Sequence, residues 1–268
     1  MFTLENDALS VSVLDPVADC GRMGPRYCTG GYVFQIHSGG DPLLSGPTYP
    51  DDFNWFDGQG IPDSFAHAPL RNPEAPGPLA LIPGIGVCDT AEPRIVEHCE
   101  WEIERSDLRL RLSTEHDWKG YALTVERVVE LSGRVIVSST TVENRGRVQF
   151  PIAWFPHPFF PVPDDALCSF PAPIELPENT TYYVGADRYL RCRDLSVQAA
   201  VPLSSGASGS GFTVLQRHPE SGIVAARFDY PVRHVIVWGN TKTFSFEPYL
   251  ERTVGVGASL TWNVEYHF

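Results

Sequence analysis

Helical periodicity is what this 268-residue chain has least of. No segment of a dozen residues keeps a 3.6-residue repeat without meeting a proline or a glycine, which leaves room for one-turn helical pieces only, expected around residues 51–66. No apolar run is long enough to cross a bilayer as a helix, and the opening Met1-Phe2-Thr3-Leu4-Glu5-Asn6-Asp7 has neither a basic region nor an apolar core, so no secretory leader is expected. Positive charge is scarce as well: 20 Lys and Arg stand against 33 Asp and Glu, a net charge of −13. Such a field repels phosphate backbones and anionic lipid, so neither a nucleic acid nor a membrane surface is an expected partner. It does not oppose a neutral sugar, whereas a phosphorylated ligand would need a local cluster of Arg or Lys.

Several motifs are missing. The six cysteines include no Cys-x-x-Cys. Their even number permits three disulfides, but free thiols in a cytoplasmic protein are the expected state. Asn179-Thr180-Thr181 fits a glycosylation acceptor, which a cytoplasmic location would make irrelevant. The eight histidines are scattered and form no His-x-His, which argues against a cupin-like metal site. No Gly-x-Ser-x-Gly elbow supports a serine hydrolase. Glycoside hydrolysis wants two carboxylates at a defined separation, and only Glu247 stands in a suitable setting.

What is present is alternation. Leu108, Leu110 and Leu112 alternate with Arg109 and Arg111. Tyr121, Leu123, Val125, Val129 and Leu131 share one parity, and Val135 and Val137 continue after a turn at Ser132-Gly133. At the end, Leu260, Trp262, Val264, Tyr266 and Phe268 face one way while Thr261, Asn263, Glu265 and His267 face the other. This pattern predicts strands with one buried face, joined as antiparallel meanders. Glycine (23) and proline (24) together make about 18% of the chain against about 12% ordinarily, which reads as many turns between short strands. With 43% apolar residues, one all-β domain over residues 1–268 is expected, a large antiparallel β-sandwich of two sheets packed face to face.

Two stretches interrupt the meanders. Residues 38–93 carry ten prolines and read as a long ordered loop of functional kind. Ser204-Ser205-Gly206-Ala207-Ser208-Gly209-Ser210-Gly211 reads as a mobile hairpin tip or an interdomain linker, the former preferred because candidate functional residues fall on both sides of it.

Two segments 90 residues apart carry ionisable groups in aromatic, proline-flanked settings: Trp154-Phe155-Pro156-His157-Pro158-Phe159-Phe160 and Thr243-Phe244-Ser245-Phe246-Glu247-Pro248-Tyr249. Burial among rings raises a Glu pKa and lowers a His pKa, bringing both toward neutrality, where a group can give or take a proton. His157 could equally be a structural histidine bonded to a carbonyl, and Glu247 a solvated strand-end carboxylate. Against this, prolines on both sides of His157 restrain its backbone. The strand parity of the second segment puts Ser245 and Glu247 on the face opposite Phe244 and Phe246, where they can floor a cleft.

These two segments resemble the aldose 1-epimerase (galactose mutarotase-like) family, in a divergent bacterial branch. His157 resembles the family's histidine, Glu247 in Phe246-Glu247-Pro248-Tyr249 its C-terminal glutamate, and Gly257-Ala258-Ser259-Leu260-Thr261-Trp262 its final turn and strand. The Asn-His-Thr form and the Asn-Arg-Ile segment of galactose mutarotases are missing, so galactose specificity does not follow. The resemblance implies a sandwich fold and the interconversion of α and β anomers of a sugar, with an ionised Glu247 as base, a protonated His157 as acid and no cofactor or metal. The two would face each other across a pyranose-sized gap. Arg26, His67 and Arg71 are candidate sugar contacts by motif position, and Asp229 is a further candidate; Trp154, with the other aromatics around His157, could offer a stacking surface for a sugar or equally be plain core. A carbohydrate-binding or sugar-sensing protein of the same fold, without turnover, is the alternative.

Overall fold

The computed structural model describes residues 1–171, 174–196, 198–205 and 211–268. Alternation in the sequence becomes antiparallel strands throughout. The largest sheet has ten strands in the order Glu102–Arg105, Arg109–Trp118, Tyr121–Ser132, Val135–Asn144, Ser259–His267, Gly222–Phe228, Phe212–His218, Cys168–Ser169, Tyr189–Cys192 and Tyr182–Val184. Its centre is a continuous ladder, with Val135 opposite His267 and Glu143 opposite Ser259. A five-stranded sheet runs Phe160–Pro161, Thr243–Pro248, Val235–Gly239, Ala199–Ser205 and Ile174–Glu175. A three-stranded one joins Leu250–Val254, Phe150–Pro156 and Asp63–Ser64. Two four-stranded sheets complete the fold, one from the N-terminal strands Phe2–Glu5 to Asp41–Pro42 and one from Leu70–Arg71 to Arg94–His98.

The smaller sheets lie against the large one. Phe246 packs edge-on against Phe228, and Trp154 against Trp262, so the inward parities of separate sheets share one apolar core. The final strand keeps the expected face, with Trp262, Val264 and Tyr266 buried. Leu110, Leu112, Leu123, Val125, Val129 and Leu131 are buried as their parity predicts. The parity expected after Ser132-Gly133 is reversed: Ile136 enters the core, while Val135 and Val137 are half-buried. The two-residue turn at Gly133-Arg134, with Gly133 at φ +57°, pairs Leu131 with Ile136, so the inward parity passes from odd to even positions across it. The helical turns expected over residues 51–66 are absent: the segment folds as turns and a short strand, because Gly58 and Gly60 adopt left-handed φ values of +82° and +78°. Among the described residues a single 3-10 turn, Cys20–Arg22, is the only helical element.

One core position breaks the apolar rule. Arg127 occupies the inward parity between Val125 and Val129 and is buried against Asp63, with which it forms an ion pair, while its Nη1 donates to Thr140 Oγ1 at 2.7 Å. Asp63 holds the loop around Cys28 through a backbone bond, Cys28 N to Asp63 O at 2.8 Å. Taking one member of such a pair away leaves an uncompensated buried charge, a loss of about 3–5 kcal/mol. The six cysteines are free. No helix among the described residues is long and apolar enough to cross a membrane. The serine- and glycine-rich stretch read as a hairpin tip lies, at residues 206–210, outside the described residues.

Candidate functional site

His157 sits just past the end of the strand Phe150–Pro156, between Pro156 and Pro158. Its backbone is held from the other side: His157 N donates to Pro62 O at 2.8 Å, and Phe159 N to Gly60 O at 2.7 Å. Gly60 itself presses on the backbone of Val33 and Phe34, so closely that any side chain there would collide with the Val33 carbonyl. A glycine with left-handed φ is therefore what brings the loop under the histidine. Glu247 comes from the strand Thr243–Pro248, where every position is buried. Phe244 and Phe246 enter the core; Ser245 and Glu247 point to the opposite face, opposite Trp238 and Ile236 in the register.

The two meet directly. His157 Nε2 is 3.2 Å from Glu247 Oε1, and Ser245 Oγ is 2.8 Å from His157 Nδ1. The expected pyranose-sized gap between them is overturned: they form a contact pair, so a ligand must address the pair from one side. Aromatic rings enclose the imidazole. Phe159 stacks at 4.3 Å between centroids, and Tyr27, Trp238 and Phe155 stand around it at 6.1, 5.9 and 6.2 Å. Only 3% of His157 and 6% of Glu247 remain exposed.

This enclosure sets the protonation. Burial pushes the Glu247 carboxyl up to about 7, against the opposing pull of the Arg26 guanidinium. Burial, and then Arg26, hold His157 well below the ordinary histidine range. Both groups are thereby driven toward their neutral forms while standing 3.2 Å apart.

Of the predicted contacts, two join the pair. Arg26 is half-buried, stacked between the Tyr27 and Phe56 rings, and donates to the Phe56 carbonyl. His67 is exposed, and its Nδ1 lies 3.2 Å from the Tyr249 hydroxyl, which in turn is 3.5 Å from Glu247 Oε2. Three do not join it. Trp154 is turned to the other side of its strand, because side chains alternate and Phe155 and His157 share the opposite parity; it is 1% exposed and packs on Tyr230 and Trp262. Arg71 bonds Gly77 O and Thr90 Oγ1 within its own hairpin region. Asp229 accepts hydrogen bonds from Asn263 on the outer face of the large sheet. Further residues complete the site: Ser245, which strand parity places beside Glu247, and three not singled out in the sequence, Tyr249, whose ring stacks on Phe155 and His234, Tyr27 and Trp238. Of these only Ser245 carried a usable signal, its parity with Glu247. No group of three or more His, Cys, Asp or Glu among the described residues is placed to hold a metal ion.

No protein-family model matches the sequence, and no curated protein matches it significantly. Solved structures do match. A galactose mutarotase related enzyme from Lactobacillus acidophilus superposes with a TM-score of 0.65 at 11% identity, over 99% of this chain and 96% of that one. A galactose mutarotase-like protein from Lactobacillus casei gives 0.60 at 12% identity, over 100% and 99%. An Escherichia coli K12 protein provisionally named aldose 1-epimerase gives 0.61 at 15% identity, over 99% and 97%. The chain has the galactose mutarotase-like β-sandwich fold from end to end.

Proposed function

We propose that this protein interconverts the α and β anomers of a sugar at the His157–Glu247 pair. The observation that carries the reading is the 3.2 Å contact between Nε2 and Oε1, a carboxyl and an imidazole that burial drives toward their neutral forms. The roles are the reverse of those expected from sequence. With the proton on Glu247 and the imidazole neutral, Glu247 is the acid. Its proton goes to the ring oxygen as the C1–O5 bond breaks, and the C1 hydroxyl gives its proton to His157 Nε2 as the C=O bond forms. The aldehyde turns about C1–C2. On closure the imidazolium returns its proton to the carbonyl oxygen, and the new ring oxygen returns its own to the Glu247 carboxylate. Protons and electrons balance without a cofactor. The half-buried Arg26 and Trp238 and the exposed His67 border the pair and supply polar and aromatic contacts for the sugar.

The small residual exposure of the pair supports a second reading, in which the rim binds a carbohydrate without turnover. Exchange NMR between anomers, over a panel of hexoses and their 6-phosphates, separates the two. Accelerated exchange that Glu247→Gln abolishes supports the enzyme. Saturable binding with exchange at the buffer rate supports the binding protein.

A further inference from the structure

Ser245 is fully buried, and its hydroxyl has one hydrogen-bond partner among the described residues, His157 Nδ1 at 2.8 Å. It stands two residues before Glu247 on the same face of the same strand, so one strand grips the imidazole at both nitrogens. The two grips differ in kind. An ionised carboxylate only accepts, so it requires a proton on Nε2, and Nδ1 is then a bare lone pair that needs a donor. A protonated carboxyl can donate to Nε2, and Nδ1 then carries the proton and needs an acceptor. A backbone carbonyl at Nδ1 could serve only the second state. A serine hydroxyl, free to rotate, serves both.

We propose that Ser245 is a positioning residue that lets His157 change tautomer as Glu247 gains or loses its proton, the hydroxyl accepting from Nδ1–H in one state and donating to Nδ1 in the other. The consequence for the reaction rests on the anomerisation reading. Only the Nδ1–H tautomer has a lone pair on Nε2, and this lone pair becomes open to the C1 hydroxyl when the Glu247 proton turns from it to the ring oxygen, so loss of the Glu247 proton removes the acid and the base together. The titratable groups that face the imidazole are Glu247 from the strand Thr243–Pro248, Tyr249 and His67 beyond Glu247, and Arg26 and Tyr27 from the loop before the strand Val33–Ser38. Tyr27 and Tyr249 are held well above their ordinary phenol range by burial, and burial lowers His67 below the ordinary histidine range, which leaves Glu247 as the group that changes charge near neutrality.

The test is 15N NMR of the His157 ring in the whole protein across the titration of the pair. The expected result is a pyridine-type Nε2 below the midpoint and a pyrrole-type Nε2 above it, with the reverse at Nδ1. One unchanging tautomer on both sides would overturn the proposal. Ser245→Ala is expected to abolish the exchange of tautomers and to lower the anomerisation rate about tenfold through the lost hydrogen bond, and Ser245→Thr to restore both. Equal behaviour of Ser245→Ala and wild type in the ring spectrum would also overturn it. A tautomer change in a protein that accelerates no sugar leaves the Ser245 assignment standing and removes the enzymatic reading; turnover with a fixed tautomer does the opposite.

Discussion

Glu247 Oε1 reaches His157 Nε2 across 3.2 Å from a strand 90 residues further along the chain. The contact is direct and enclosed by rings, so the two groups lie within hydrogen-bonding reach of each other. A positioned acid or base typically contributes about 10²–10⁴-fold. Glu247→Gln is therefore expected to lower the anomerisation rate by that order, read by polarimetry on freshly dissolved α-sugar. Its thermal midpoint should not fall, because the amide carries no buried charge. A wild-type rate in the variant would remove Glu247 from the chemistry.

The pair predicts how activity depends on pH. Glu247 is protonated below about 7 and acts as acid only in that form. The rate is expected to fall as pH rises through about 7. A rate that climbs steadily from pH 6 to 9 would contradict the assignment of Glu247 as the acid.

Stability should follow the same group in the same direction. The folded-state pKa is raised from 4.5 to about 7, so between those values the folded protein binds more protons than the unfolded chain, and stability is lost as pH rises through that window. At 1.36 kcal/mol per unit the full effect is roughly 3 kcal/mol. Urea unfolding of wild type and Glu247→Gln at pH 4.5 and 7.5 measures it; the variant is expected to lack this part of the slope.

Arg26 lowers both Glu247 and His157 by its charge. Arg26→Gln is expected to move the descending limb of the pH–rate profile to higher pH. An unmoved limb would show that the guanidinium is screened from the pair.

The buried Arg127–Asp63 pair gives a prediction about the fold itself. Asp63→Ala strands a guanidinium in the core and is expected to cost about 3–5 kcal/mol, measured as a lowered unfolding midpoint. Joint replacement by Asp63→Leu and Arg127→Met should recover most of the loss. Full stability in Asp63→Ala would mean that the charge finds water.

The sequence by itself determined the strand character of the chain and most of its inward faces, because a period of two is a local property that needs no knowledge of partners: Leu110, Val125, Trp262 and Tyr266 could be placed by parity alone. It also singled out His157 and Glu247, since ionisable groups between aromatics and prolines stand out in any strand. Trp154, beside His157 in sequence, fits a stacking surface or the core on residue type alone, and strand parity turns it into the core. Arg127 on an apolar face could not be anticipated, because its partner Asp63 lies 64 residues away. Tertiary structure alone decided that the pair would touch and not face each other across a gap, and that Arg26, Tyr27, Trp238 and Ser245 would converge on it while Arg71 and Asp229 would not. The physical reason is that enclosure is a sum over separate elements. Burial by rings from four parts of the chain raises the Glu247 carboxyl to about 7, and no single segment of the sequence contains that sum.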